Sequence, residues 1–110
     1  MAEPAHRPPT LAELRAKRNE ILRVAAAHRV TNVRVFGSVA RGDAGPRSDV
    51  DFLVDLPPDA RGFDAFGILD ELRRDLEPIV GRRVDVITIR GPAPDAVEMA
   101  ATIEREALTL

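Results

Sequence analysis

Phe36-Gly37-Ser38-Val39-Ala40-Arg41-Gly42, followed after a short loop by Ser48-Asp49-Val50-Asp51-Phe52-Leu53-Val54, decides how this chain folds. The first segment places a Gly-Ser turn at the end of an apolar run. The second places two carboxylates, two residues apart, at the entrance of another. Side chains alternate faces along a strand, so Asp49 and Asp51 share a face while Val50 points into the core. Like charges so close repel, and one takes up a proton unless a cation or hydrogen bonds compensate. A hard divalent cation holding a phosphorylated substrate is the usual compensation. The Gly-Ser turn fits such a substrate. Gly37 lets the backbone approach a ligand closely, and Ser38 offers a hydroxyl and an N–H at the start of a helical turn.

Each feature alone has an ordinary explanation. Gly-Ser after a strand is commonly just a turn, and Asp-x-Asp is commonly solvated charge. A third carboxylate changes the balance. Asp85 stands between Val84 and Val86, with Ile87 beyond, in another apolar run. Its structural alternative is a salt bridge to Arg82, Arg83 or Arg34. That alternative serves for one aspartate and serves poorly for three on neighbouring strands beside a Gly-Ser turn.

Working outward, Met1 to Pro9 holds three prolines and reads as a mobile leader, with a single domain over residues 10–110. Thr10-Leu11-Ala12-Glu13 matches a capping box, opening a helix to about His28 whose buried stripe includes Leu14, Ile21, Leu22 and Ala25. Val33 to Phe36 forms a strand, Val39 to Arg41 a helical turn, and Asp43 to Ser48 a loop. Val50 to Val54, apolar nearly throughout, predicts a central strand covered on both faces. A second helix spans about Phe63 to Leu76, with Phe66, Leu69, Leu72 and Leu76 on one face and Pro78 and Gly81 ending it. Arg83 to Thr88 is a third strand. Gly91-Pro92-Ala93-Pro94 breaks the chain, Asp95 and Glu98 cap a last helix from about Ala96 to Glu106, and Ala107 to Leu110 extends it or adds a short strand. Phe36, Phe52 and Phe66 read as core.

The 110 residues allow one compact domain, and 45% apolar with 31% charged residues is a globular balance. Without cysteine there are no disulfides or thiolate metal sites, which fits a cytoplasmic setting. No apolar run approaches the roughly 20 residues that span a bilayer. A net charge of −2 gives no general attraction to nucleic acid or to anionic membrane, so no stable nucleic-acid binding is expected.

Gly-Ser-x-Ala-Arg-Gly…Ser-Asp-x-Asp-x-x-Val, with ten residues between Ser38 and Asp49, resembles the signature of the DNA polymerase β-like nucleotidyltransferase superfamily, and in particular its minimal nucleotidyltransferase (MNT) branch. The similarity covers roughly Val33 to Thr88. It implies an α+β fold, a small mixed β-sheet flanked by helices in the order α-β-β-α-β-α. It further implies that Asp49 and Asp51 coordinate two Mg²⁺ ions, that Asp85 is a ligand to one of them and lies nearest the attacking hydroxyl, and that Gly37 and Ser38 bind the β- and γ-phosphates of ATP.

Two readings stand for Arg41: a positive group near the triphosphate or a partner, and a surface arginine paired with Asp43. Ser48 either contacts the nucleotide, orients Asp49 or caps the loop. His6 and His28 have no ligand spacing with the carboxylates. Arg73-Arg74 and Arg82-Arg83 read as a solvated basic face.

The chain has neither tyrosine nor tryptophan for stacking a base and no room for an acceptor domain. The acceptor is therefore expected on another chain. The resemblance implies an antitoxin that transfers AMP to a tyrosine hydroxyl of a HEPN-domain toxin, in a hetero-oligomer. Two alternatives are an antitoxin that acts by binding alone and a small-molecule nucleotidyltransferase similar to the aminoglycoside-modifying enzymes.

Overall fold

In the computed structural model, residues 7–60, 62–89 and 96–110 are described. The elements run α1 (Leu11–Ala16), α2 (Arg18–Ala27), β1 (Thr31–Phe36), α3 (Gly37–Arg41), β2 (Val50–Asp55), α4 (Phe63–Val80), β3 (Val84–Ile87), α5 (Ala96–Glu106) and β4 (Leu108–Thr109). One mixed sheet has the order β3-β2-β1-β4. β1 is antiparallel to β2 and β4, whereas β2 and β3 are parallel and joined through α4. This is the expected α+β architecture with β4 added.

β2 is the central strand its sequence predicts. Val50, Phe52, Leu53 and Val54 are all buried, so both faces of the strand are covered. Leu14, Ile21 and Ala25 meet this core from the first helices, and Leu72, Leu76 and Val80 from α4. Apolar residues at these spacings bury one helix face, each large side chain contributing about 1.5–3 kcal/mol.

The first helix starts as expected: the Glu13 N–H donates to Thr10 Oγ1 at 3.1 Å. It then breaks into two at Lys17, whose Nζ donates to the Ile79 carbonyl at the far end of α4, 2.9 Å away. α2 is tied to α4 again through His28, whose Nε2 lies 2.8 Å from Asp75.

Two further expectations are corrected, and one left open is decided. Pro78 does not end its helix; α4 continues through it to Val80, closed by Gly81 with φ 75° and its N–H on the Glu77 carbonyl. Proline removes one N–H, and here the buried Val80 beyond it holds the last turn in place. Phe66 is not core: it is 73% exposed on the first half of α4. Leu108 and Thr109 form a strand rather than a helical extension, and Leu110 behind them is buried. At the other end, Pro9 is buried and an Arg82 Nη2 donates to the Arg7 carbonyl, so the last residues of the expected leader touch the domain. His6, the Gly91 to Pro94 breaker and the Asp95 cap lie outside the described residues.

Candidate active site

The site is built where β1 and β2 begin to separate around α3. Gly37 leaves β1 at φ 73°, a left-handed conformation that glycine adopts without penalty. It has a second reason to be glycine: any side chain there would run into Asp51 Oδ2. The backbone of the turn and the carboxylate are therefore in close apposition. Ser38 follows in the first turn of α3, half-buried, its carbonyl accepting from the Asp43 N–H at 3.0 Å.

Asp51 and Asp85 are partners in the parallel β2–β3 ladder. Neighbouring strands lie about 4.8 Å apart and partner residues share a face, which brings the two carboxylates side by side. Asp49 precedes β2 by one residue and is exposed. All three charges meet at Asp51. Burial, then Asp85, then Asp49 push the Asp51 carboxyl up to about 6, against a smaller pull downward from Arg41. The proposed salt bridge for Asp85 does not form among the described residues; Arg34 is instead 3.0 Å from Asp55.

The donor set is all oxygen, the chemistry that suits a hard cation such as Mg²⁺. Among the described residues no group of three His, Cys, Asp or Glu is arranged to hold a metal ion as it stands. Mutual repulsion of like charges favours such spacing.

Arg41 lies 3.3 Å from both Asp43 and Glu106, and Asp43 foremost holds its guanidinium more firmly protonated than usual. The surface pairing read for Arg41 is thus present, and its charge is also felt at Asp51. Glu106 was not legible as a partner, since only the fold brings α5 to α3. Ser48 caps its loop. Its Oγ accepts from the Gly45 N–H at 2.8 Å, its own N–H donates to the Gly45 carbonyl at 3.1 Å, and Arg82 holds the neighbouring Pro46 carbonyl at 3.2 Å. Of the basic face, Arg73 and Arg74 both pair with Asp70.

Beyond Asp85 a groove of ≈ 910 Å³ opens between β3 and the first half of α4, reaching Phe66, Leu69 and Thr88. Periodicity had assigned Phe66 to the core, and nothing in the sequence marked Thr88. No described helix is long and apolar enough to cross a membrane.

Comparison with known proteins agrees with this fold. The model of the nucleotidyltransferase domain matches residues 16–108. Two proteins of Methanocaldococcus jannaschii are similar. The inferred protein adenylyltransferase MJ1379 is 35% identical over 78 residues, 71% of this chain and 74% of that protein. MJ0435, named in the same way, is 31% identical over 77 residues, 70% and 78% of the two chains. A solved structure of an inferred minimal nucleotidyltransferase superimposes with a TM-score of 0.72 at 39% identity, covering 93% of this chain and 97% of that one. The crystal structure of a toxin-antitoxin with AMP-PNP gives a TM-score of 0.60 at 22% identity, over 77% and 67% of the chains, a likeness of fold.

Proposed function

The chain belongs to the nucleotidyltransferase domain family, and on that premise we propose that it transfers AMP from ATP to a tyrosine hydroxyl of a partner HEPN-domain toxin and so acts as the antitoxin. The observation that carries the reading is the ladder pairing of Asp51 with Asp85, beside a turn where only glycine fits. The names of the two archaeal relatives favour a protein acceptor. The fold neighbour described as a toxin-antitoxin with AMP-PNP, an ATP analogue, favours an adenine nucleotide and a toxin partner.

In this reading the N–H groups and hydroxyl of Gly37-Ser38 hold the β- and γ-phosphates, with Arg41 balancing charge from the far end of α3. Asp49, Asp51 and Asp85 would hold Mg²⁺, two ions by the family resemblance, which would lower the pKa of the hydroxyl and offset charge on the leaving pyrophosphate. The acceptor oxygen attacks the α-phosphorus, the bond from that phosphorus to the pyrophosphate oxygen breaks, and the hydroxyl proton passes to the Asp85 carboxylate. The products are an O-adenylylated protein and pyrophosphate.

The test is incubation with ATP, Mg²⁺ and a HEPN-domain toxin, beginning with any helical protein encoded beside this chain. The expected result is a mass gain of one or more AMP units on that protein, abolished by Asp49→Ala or Asp51→Ala. If both variants still neutralise the toxin and no adduct forms, neutralisation is by binding and the enzymatic reading falls.

A further inference from the structure

β3 is an edge strand, and its outer edge faces the groove beside Asp85. From β3 the groove takes four consecutive residues, Asp85, Val86, Ile87 and Thr88. Consecutive side chains point to opposite faces of a sheet, so a groove that meets all four runs along the strand's edge and not over one face.

The hydrogen-bonding parity agrees. The Arg83 carbonyl accepts from the Val50 N–H at 3.0 Å, so residue 83 turns its main-chain groups toward β2. Residues 84, 86 and 88 therefore turn theirs outward. At Val84 the outward N–H is already taken, by Glu77 Oε2 from α4 at 3.1 Å. No described side chain caps Val86 or Thr88 in this way. Thr88 Oγ1, in addition, is buried without a hydrogen-bond partner, and buried polar groups are nearly always satisfied.

The opposite wall presents half-buried Leu69 and exposed Phe66 beside the paired Asp70 and Arg73, and Leu56 and Pro57 after β2 also line the groove. The groove's charge is also one-sided. Arg73 is committed to Asp70 and Glu77, at 3.0 and 3.2 Å, while Asp85 has no ion-pair partner among the described residues. With Arg73 so held, the groove offers an acidic segment no free cation among the described residues, which favours apolar or basic segments over acidic ones.

We propose that the outer edge of β3 from Val86 to Thr88 is the acceptor-docking strand: an extended segment of the acceptor protein pairs with it, sets its apolar side chains against Phe66 and Leu69, and so presents its hydroxyl residue to Asp85. This rests on the nucleotidyl-transfer reading above and adds the conformation and side-chain character of the acceptor. Main-chain pairing supplies affinity, the α4 wall supplies specificity, and Phe66 is a residue that selects the acceptor. An otherwise exposed phenylalanine and an orphaned threonine hydroxyl both gain a partner.

The test uses pools of short synthetic peptides with a central tyrosine and either apolar, basic or acidic neighbours. Two measurements are made on the folded chain: amide chemical shifts of Val86 and Thr88, and AMP incorporation into the peptides from labelled ATP with Mg²⁺. The expected result is a shift of both edge amides by apolar or basic pools and not by acidic ones. Phe66→Ala, a change at an exposed position, should weaken that binding about tenfold while leaving the affinity for AMP-PNP within twofold. Edge amides that stay unmoved by every pool overturn the proposal. So do edge amides and a Phe66 ring moved by AMP-PNP alone, which would assign the groove to the nucleobase. Peptide labelling without an edge shift leaves nucleotidyl transfer standing and removes the docking strand. Edge shifts lost in Phe66→Ala, without labelling, leave the docking strand standing and remove the tyrosine reading.

Discussion

β2 carries an aspartate near each end, on the same face, and the fold treats the two in opposite ways. Asp55 receives Arg34 Nη2 at 3.0 Å and Asn32 Nδ2 at 3.1 Å. Arg34 is only 14% exposed at its side chain and also donates to the Asn32 carbonyl at 3.2 Å, so this end is a closed network. Asp51, four residues earlier, faces Asp85 and Asp49 and is driven toward protonation. The chain can evidently supply a cation to a carboxylate on this face. At the Gly37 end it supplies more negative charge instead, which is what the proposed cation-holding role would use.

The sharpest way to break the comparison is Asp51→Asn. Transfer should fall on the order of 10³-fold, equivalent to about 4 kcal/mol of barrier. Stability of the metal-free protein at pH 8 should hold or rise, because a repelling charge is gone. Adduct formation and thermal melting check the two halves, and a melt that falls with the activity would make Asp51 structural.

Arg34→Ala should do the reverse. Removing it leaves the half-buried Asp55 with only Asn32, costing about 2 kcal/mol in urea unfolding, while transfer by the folded fraction stays within about twofold. Loss of transfer in proportion to stability would end the division of labour between the two ends.

Acidity gives a smaller effect with a defined sign. The folded Asp51 carboxyl titrates at about 6, against 3.8 as its ordinary value. Between these pH values the folded state binds more protons than the unfolded one, so stability of the metal-free protein falls as pH rises from about 4 to 6. Screening at this half-exposed group limits the loss to about 1 kcal/mol. Urea midpoints across that range should show the slope, and Asp51→Asn should flatten it.

The least effect is expected at Arg29, whose pair with Asp59 is exposed on both sides, 68% and 69%. Arg29→Ala should leave the urea midpoint unchanged within error. A clear drop would show that exposed pairs matter here as much as the Asp55 network.

The sequence was most legible where the chemistry is local. Gly37, Ser38, Asp49 and Asp51 fall within fifteen residues, and their spacing alone pointed to a cation and a phosphate. Asp85 was found through its apolar neighbours, but its register with Asp51 was not, because nothing local encodes which residues of distant strands face each other. Phe66 was misplaced because it keeps helical spacing with Leu69, Leu72 and Leu76. The fully buried side chains of α4 lie in its second half; in the first half Ala65, Ile68 and Leu69 pack only partly against the core, and Phe66 turns to the groove. The break at Lys17 has no breaker in the sequence; its geometry is set by the reach to Ile79 across the fold. The two residues of β4 are too few for any periodicity, and their place is fixed by pairing with β1.

The parallel ladder between β2 and β3 also governs when the site comes into being. A hairpin cannot make such a pair, so the chain must lay down α4 and return before Asp85 meets Asp51. The antiparallel β1–β2 pair and the Gly-Ser turn need only nearby segments. A nascent chain that has emerged as far as α4 thus carries the turn and two of its carboxylates, and no completed cluster. Closure over long sequence separation is slow, so the proposed carboxylate cluster forms after the β1–β2 pair, and the still more distant β1–β4 pairing is a separate closure. The proposed site therefore needs the parallel pair, and not the Gly-Ser turn alone, before it is complete.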